Sequence, residues 1–223
     1  MSTVGVSRDG AVSDDRAPID LPALAAIVEG MLAARSASTP LLVGLAGKPG
    51  AGKSTAADQL AALLPGSRVL PMDGFHFPQA HLVSLGRRER MGAPDTFDVD
   101  AFVALLESLS SATSAVRAPG FDRTIEEPVP DQLSFTPDVP CIIVEGNYLL
   151  LDSGGWEQVA GLLDLTVGIV LDEDTRLERL IARHVAFGKS DEHARAWALG
   201  PDEANAVLIA PTLDRADYIL SAR

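Results

Sequence analysis

Cysteine occurs once in this 223-residue chain, which excludes an internal disulfide framework. That residue, Cys141, lies in the apolar run Val139-Pro140-Cys141-Ile142-Ile143-Val144, so it reads as a small buried hydrophobe on a strand and not as a catalytic thiol. Basic residues are scarce: 18 Lys and Arg stand against 31 Asp and Glu, for a formal net charge of −13. A field of that sign repels phosphate backbones and anionic membrane surfaces, so nucleic acid and membrane are not expected as partners. A small phosphorylated ligand is still compatible with it, because a local basic pocket can sit in an acidic protein. No apolar stretch approaches the roughly 20 residues that span a bilayer, and no basic segment followed by a hydrophobic one opens the chain. A cytoplasmic location is therefore expected. Internal repeats and low-complexity tracts are also lacking.

What is present is the composition of a folding chain, 47% hydrophobic and 22% charged. Residues 1–18 lack periodicity and read as a flexible tail, and residues 19–223 as a single domain. Leu21, Leu24, Ile27, Val28, Met31 and Leu32 follow helical spacing behind Asp20, which is placed to cap the helix. Short continuous apolar runs at 41–46, 69–72, 141–144, 165–171 and 218–220 suit strands buried on both faces. Helical patterns separate most of them, among them 55–64, 99–109 and 175–187. That alternation predicts an α/β fold, a mainly parallel five-stranded sheet with helices on both faces. Residues 74–138 are less regular and read as an acceptor-binding insert, since loops at the carboxyl ends of parallel strands carry substrate contacts.

Gly47-Lys48-Pro49-Gly50-Ala51-Gly52-Lys53-Ser54 fits G-x-x-x-x-G-K-[ST] between an apolar strand and a helix, and is the most specific motif in the chain. Its glycines let the backbone wrap a phosphate without Cβ clashes. Successive N–H groups, with the start of the next helix at Thr55, supply partial positive charge. Lys53 is placed to reach the β- and γ-phosphates of ATP, and Ser54 to ligate Mg²⁺.

Two carboxylates stand at strand tips followed by glycine. Asp73, in Met72-Asp73-Gly74-Phe75-His76, is the candidate base that accepts an attacking hydroxyl's proton. Glu145, in Ile143-Val144-Glu145-Gly146-Asn147, is the candidate Mg²⁺ ligand beside Ser54.

Downstream of the last loop, Arg176, Arg179 and Arg183 recur at spacings of three and four on a predicted helix, so Arg179 and Arg183 share a face that can close over a triphosphate. A lid of this kind, spanning about 179–205, offsets the charge that builds up in phosphoryl transfer and keeps water out. Trp197 within it either stacks on adenine or sits in the core. Arg87-Arg88-Glu89-Arg90 either binds an anionic acceptor or is solvated surface.

Together these segments resemble the phosphoribulokinase, uridine kinase and pantothenate kinase superfamily from about Leu41 to Leu220. The lid, with Arg183-His184, Trp197, Asp202 and Asn205, resembles a bacterial branch of nucleoside kinase-like and fructose transport system kinase-like proteins. The resemblance implies a three-layer P-loop fold and ATP and Mg²⁺ as cofactors. It gives Asp73 the base position and puts Arg183 on the ATP phosphates. It also puts Asp95, of Gly92-Ala93-Pro94-Asp95-Thr96-Phe97-Asp98, where uridine kinases hold sugar hydroxyls. Phe121, Asp122 and Arg123 would line the acceptor pocket, with Phe75 and His76 where relatives carry an aromatic residue and Asn147 beside Glu145. A homodimer is common among such kinases.

The function expected is transfer of the γ-phosphoryl group of ATP to a hydroxyl of a small metabolite: a nucleoside, a pantothenate-like compound or a sugar. The alternatives are a P-loop ATPase and a non-catalytic nucleotide-binding regulator linked to sugar uptake. A GTPase switch is disfavoured, because no Asn-Lys-x-Asp guanine reader is present.

Overall fold

Leu41-Leu42-Val43-Gly44-Leu45-Ala46-Gly47 forms β1 (Leu41–Gly47), and every residue of it is buried, as a strand with helices on both faces requires. The computed structural model describes residues 17–35 and 39–222, so the tail expected at 1–18 falls mostly outside the described residues. β1 pairs in parallel with β5 (Cys141–Gly146) on one side and β6 (Leu165–Val170) on the other. β2 (Arg68–Pro71) lies outside β5 and β7 (Tyr218–Ser221) outside β6, giving the order β2-β5-β1-β6-β7. All five carboxyl ends thus reach one edge, where loops can gather polar groups.

Side-chain alternation splits the core into two layers. Leu41, Val43, Leu45, Cys141 and Ile143 face α1 (Leu21–Ala34) and α2 (Lys53–Leu63), together with Leu24, Val28 and Leu60. Leu42, Ile142 and Val144 face the other way, onto Phe102 and Leu106 of α4 (Val99–Ser110) and onto Tyr148 and Trp156. Asp20 caps α1 as expected, its Oδ1 accepting from Ala23 N at 2.9 Å. Among the described residues no helix is long and apolar enough to cross a membrane.

Two elements between β2 and β5 are not anticipated by the sequence pattern. One is the short α3 (Gln79–Ser84). The other is an antiparallel hairpin of β3 (Val116–Asp122) and β4 (Glu127–Phe135), a separate two-stranded sheet. Pro119, Pro128 and Pro130 hide it from a propensity reading, yet a two-stranded ribbon has only edges, where a missing N–H is tolerated. The hairpin presses on the turn of residues 72–75: a Cβ on Gly74 would lie 2.4 Å from the Pro119 carbonyl oxygen, so only glycine fits. Three α-helices lie between β6 and β7: α5 (Glu173–Ala186), α6 (Asp191–Leu199) and α7 (Pro201–Ile209).

Candidate active site

The glycine loop leaves β1 and enters α2 with Gly50 and Gly52 at φ values of 81° and 90°, a left-handed backbone that side chains oppose. Space is also short, since a Cβ on Gly50 would approach the Arg176 carbonyl oxygen to 2.8 Å. Arg176 lies behind this loop. It is only 1% exposed, donates from Nη1 to the Pro49 carbonyl at 3.0 Å, and pairs with Glu173 and Glu203. The arginine spacing in α5 suggested one shared face; the structure instead separates Arg176, a buttress of the loop, from Arg179 and Arg183, which line the cleft.

Lys53 opens α2 and turns its ammonium to the sheet edge, donating to the Lys48 carbonyl at 3.1 Å and to Asn147 Oδ1 at 2.6 Å. Burial lowers its pKa to about 8, against the pull of the Glu145 carboxylate. Next to it, Ser54 Oγ donates to Glu145 Oε1 at 2.9 Å. Burial raises the Glu145 pKa, and the charge of Asp73 adds to the effect, with Lys53 and Ser54 opposing. For Asp73 burial also acts upward, but Arg123, His76, Lys53 and Arg183 outweigh it and hold the carboxyl below its ordinary value. β2 and β5 are adjacent, with Pro71 opposite Glu145, and this register brings both carboxylates to the same lysine.

These groups face a cleft of about 560 Å³. Arg123 Nη2 donates to Asp73 Oδ2 at 2.7 Å. His76 Nδ1 lies 2.9 Å from the Asp73 carbonyl oxygen, and its ring sits 3.8 Å from that of Phe97 and 5.0 Å from that of Phe121. Burial lowers the His76 pKa despite the Asp73 charge, which favours a neutral ring on the acceptor wall.

On the lid, the Arg183 guanidinium makes no hydrogen bond or ion pair among the described residues; burial, and then the charge of Arg123, lower its pKa. His184 Nε2 meets Asp202 Oδ2 at 2.7 Å, tying α5 to α7. The Gly92 carbonyl oxygen accepts from Tyr148 Oη at 2.5 Å and Asn205 Nδ2 at 3.2 Å, tying α7 to the core. At the hairpin tip Glu126, at φ 52°, accepts from Lys189 Nζ at 3.0 Å and from Arg88 Nη2 at 2.7 Å. Lys189 Nζ also lies 5.3 Å from the Trp197 ring, so Trp197 lines the cleft next to the hairpin and is not a core residue.

The cleft gathers Gly50, Gly52, Lys53, Ser54 and Thr55 of the loop, and with them Asp73, His76, Phe121, Arg123, Glu145, Asn147, Arg179 and Arg183. Gly47 and Ala51 shape the loop backbone from behind. Three expected acceptor residues lie elsewhere. Phe75 is 6% exposed and packs edge-on against Phe102, 4.9 Å away, because the turn of 72–75 points it into the α4 core. Asp95 is held by Arg90 and by Arg87 at 3.4 Å, a local ion-pair cluster that uses up its carboxylate. Asp122 closes the hairpin turn by accepting from Thr124 N at 2.8 Å. Of the arginine patch at 87–90 only Arg88 reaches the cleft. Phe97, Glu126 and Phe187 line it without having been given a role from the sequence; the acidic Glu126 between two turn segments carried no periodic signal.

A loop that cradles phosphate at the end of the middle strand, flanked by an acidic strand tip and covered by an arginine-bearing lid, defines a P-loop kinase. The chain belongs to the phosphoribulokinase / uridine kinase family, whose family model matches residues 42–222. It is 37% identical over 185 residues to the uncharacterized protein YggC of Escherichia coli strain K12, covering 78% of this chain and 76% of that one. It is 31% identical over 215 residues to pantothenate kinase of Lacticaseibacillus casei strain BL23, covering 83% and 70%. A crystal structure from Silicibacter sp. TM1040, provisionally described as a fructose transport system kinase, superposes with a TM-score of 0.78 at 35% identity, covering 88% of this chain and 98% of that chain.

Proposed function

We propose that this chain transfers the γ-phosphoryl group of ATP, with Mg²⁺, to a hydroxyl of a small metabolite. The carrying observation is that Asp73 and Glu145, at the ends of adjacent strands, face one cleft together with Lys53 and Ser54. ATP would lie with its phosphates on the loop amides, Lys53 on the β- and γ-phosphates and Arg183 approaching from the lid. The acceptor would enter from the hairpin side, past His76 and Phe121. Its O–H bond breaks with the proton going to an Asp73 carboxylate oxygen, its oxygen bonds the γ-phosphorus, and the bond from that phosphorus to the β-phosphate oxygen breaks to release ADP.

The donor set supports Mg²⁺ as the ion. One hydroxyl and one carboxylate, Ser54 and Glu145, touch each other, and no group of three or more His, Cys, Asp or Glu that could hold a metal occurs among the described residues. Such sparse oxygen donors suit Mg²⁺, which keeps waters and takes phosphate oxygens, and do not suit a closed protein cage. Bound there, the ion would neutralise phosphate charge. Burial raises the Glu145 pKa, and a divalent cation bound there would favour its charged form. A cytoplasmic setting goes with ATP as the donor.

The test is a panel of nucleosides, pantothenate, fructose and other sugars with Mg-ATP, scored for ADP and for phosphorylated acceptor. Acceptor-dependent ADP with a matching phosphorylated product is the expected result. ADP formed equally with and without every acceptor would replace this reading with that of an ATPase.

A further inference from the structure

One of the two carboxylate oxygens of Asp73 is engaged in this structure. Its Oδ2 receives the Arg123 guanidinium at 2.7 Å, a charge-assisted bond that also makes the carboxylate a poorer base. That bond uses one Arg123 nitrogen, and no other hydrogen bond or ion pair engages the guanidinium among the described residues. Arg123 bears on Arg183 as a like charge in the cleft, and although Asp73, Asp202 and Glu145 act on Arg183 from a distance, no ion-pair partner touches it among the described residues. ATP phosphates would supply one for Arg183. Arg123 stands on the other side, just past the end of β3, next to Phe121 on the acceptor wall.

Resting on the kinase reading above, we propose that Arg123 is a latch on Asp73 and that the acceptor opens it by carrying a carboxylate or phosphate besides its hydroxyl. The anionic group takes the guanidinium, whose planar fork favours a two-pronged oxygen partner over the single contact made here. Asp73 is then released to the acceptor hydroxyl, which gives it a proton as the new O–P bond forms and ADP departs. Arg123 stays charged throughout. A neutral acceptor would have to break the part-exposed Asp73–Arg123 pair and put no anion in its place, so the charge-assisted bond is lost without a replacement. Until an acceptor arrives the latch also keeps Asp73 from activating water, so ATP under a closed lid is spared.

The experiment uses matched acceptors with Mg-ATP and the full chain: glycerol, glycerate and glycerol 3-phosphate; panthenol and pantothenate; fructose and fructose 6-phosphate. Phosphorylated product is measured. At least one anionic member is expected to exceed its neutral counterpart in kcat/KM by about tenfold or more, and the winning arm tells carboxylate from phosphate. Arg123→Gln is expected to bring that ratio close to one and to raise acceptor-free ADP formation several-fold, with ATP Kd little changed. Arg123→Lys keeps the charge without the fork and should retain part of the preference. A neutral member transferred by the parent protein as well as its anionic counterpart overturns the proposal, as does a preference that survives Arg123→Gln. A parent chain that binds Mg-ATP and phosphorylates neither these nor any nucleoside removes the kinase reading itself, and the latch with it; a nucleoside phosphorylated in preference to every anionic member overturns the latch alone.

Discussion

Lys53 Nζ donates to Asn147 Oδ1 at 2.6 Å, a neutral partner for a buried cation whose pKa has fallen to about 8. Nucleotide phosphates favour the charged form, so ATP binding near pH 8 should take up a fraction of a proton. Calorimetric titration of ATP at pH 8, in two buffers of different ionisation enthalpy, should show that uptake. Lys53→Met should abolish the uptake and weaken ATP binding. Equal binding heats in both buffers, after correction, would contradict the assignment.

Asp73→Asn keeps the size of the side chain and its contact with Arg123 but cannot take a proton. Phosphoryl transfer should fall by about 10²–10⁴-fold while ATP Kd changes little. Rapid-quench measurement of the transfer step decides it, and near-normal turnover would remove Asp73 from the base role.

Glu145 makes the opposite kind of statement, about stability. Its folded-state pKa lies above the unfolded value, so the folded protein loses stability as pH rises through that window, and the penalty is complete above the folded pKa. Glu145→Gln removes the penalty and can keep the Ser54 hydrogen bond. Without ligands, the variant should melt higher at neutral pH, by about 1 kcal/mol or about 2–4 °C. The gain should vanish below about pH 4.5, the ordinary glutamate value. Kinase activity at limiting Mg²⁺ should be lost in the same variant, and a Tm that stays put or falls at neutral pH would count against the account.

Gly74→Ala tests how the hairpin is seated. The added methyl would meet the Pro119 carbonyl and push β3 away from the turn that carries Asp73, at a cost of about 1–3 kcal/mol. Acceptor KM should rise while ATP Kd holds, since the glycine loop lies on the other side of β5. A variant with unchanged acceptor KM would show that the hairpin does not shape that pocket.

The parallel sheet was legible because its strands are buried on both faces and therefore appear as unbroken apolar runs; β1, β2, β5, β6 and β7 fall within a few residues of the expected spans. The loop and the two strand-tip carboxylates were legible for a related reason, since they follow those runs directly. The acceptor side was not. β3 and β4 are proline-bearing and half exposed, so neither alternation nor propensity marks them. Asp95 and Asp122 carry the right chemistry in the right neighbourhood, but partners within eight residues, Arg87, Arg90 and Thr124, claim their oxygens first. Arg176 shows the limit of helical spacing: periodicity gives a shared face, but not that the first turn of α5 lies under the Pro49 carbonyl while later turns pass over the cleft.

Glu126 joins Lys189, from the lid, to Arg88, from the segment before α4, through one carboxylate. Were that carboxylate withdrawn, two cations would confront each other where an anion had stood between them. The roof over the nucleotide and the wall of the acceptor chamber would then repel, so this hairpin tip works as a keystone: the two halves of the cleft settle, or spring apart, together.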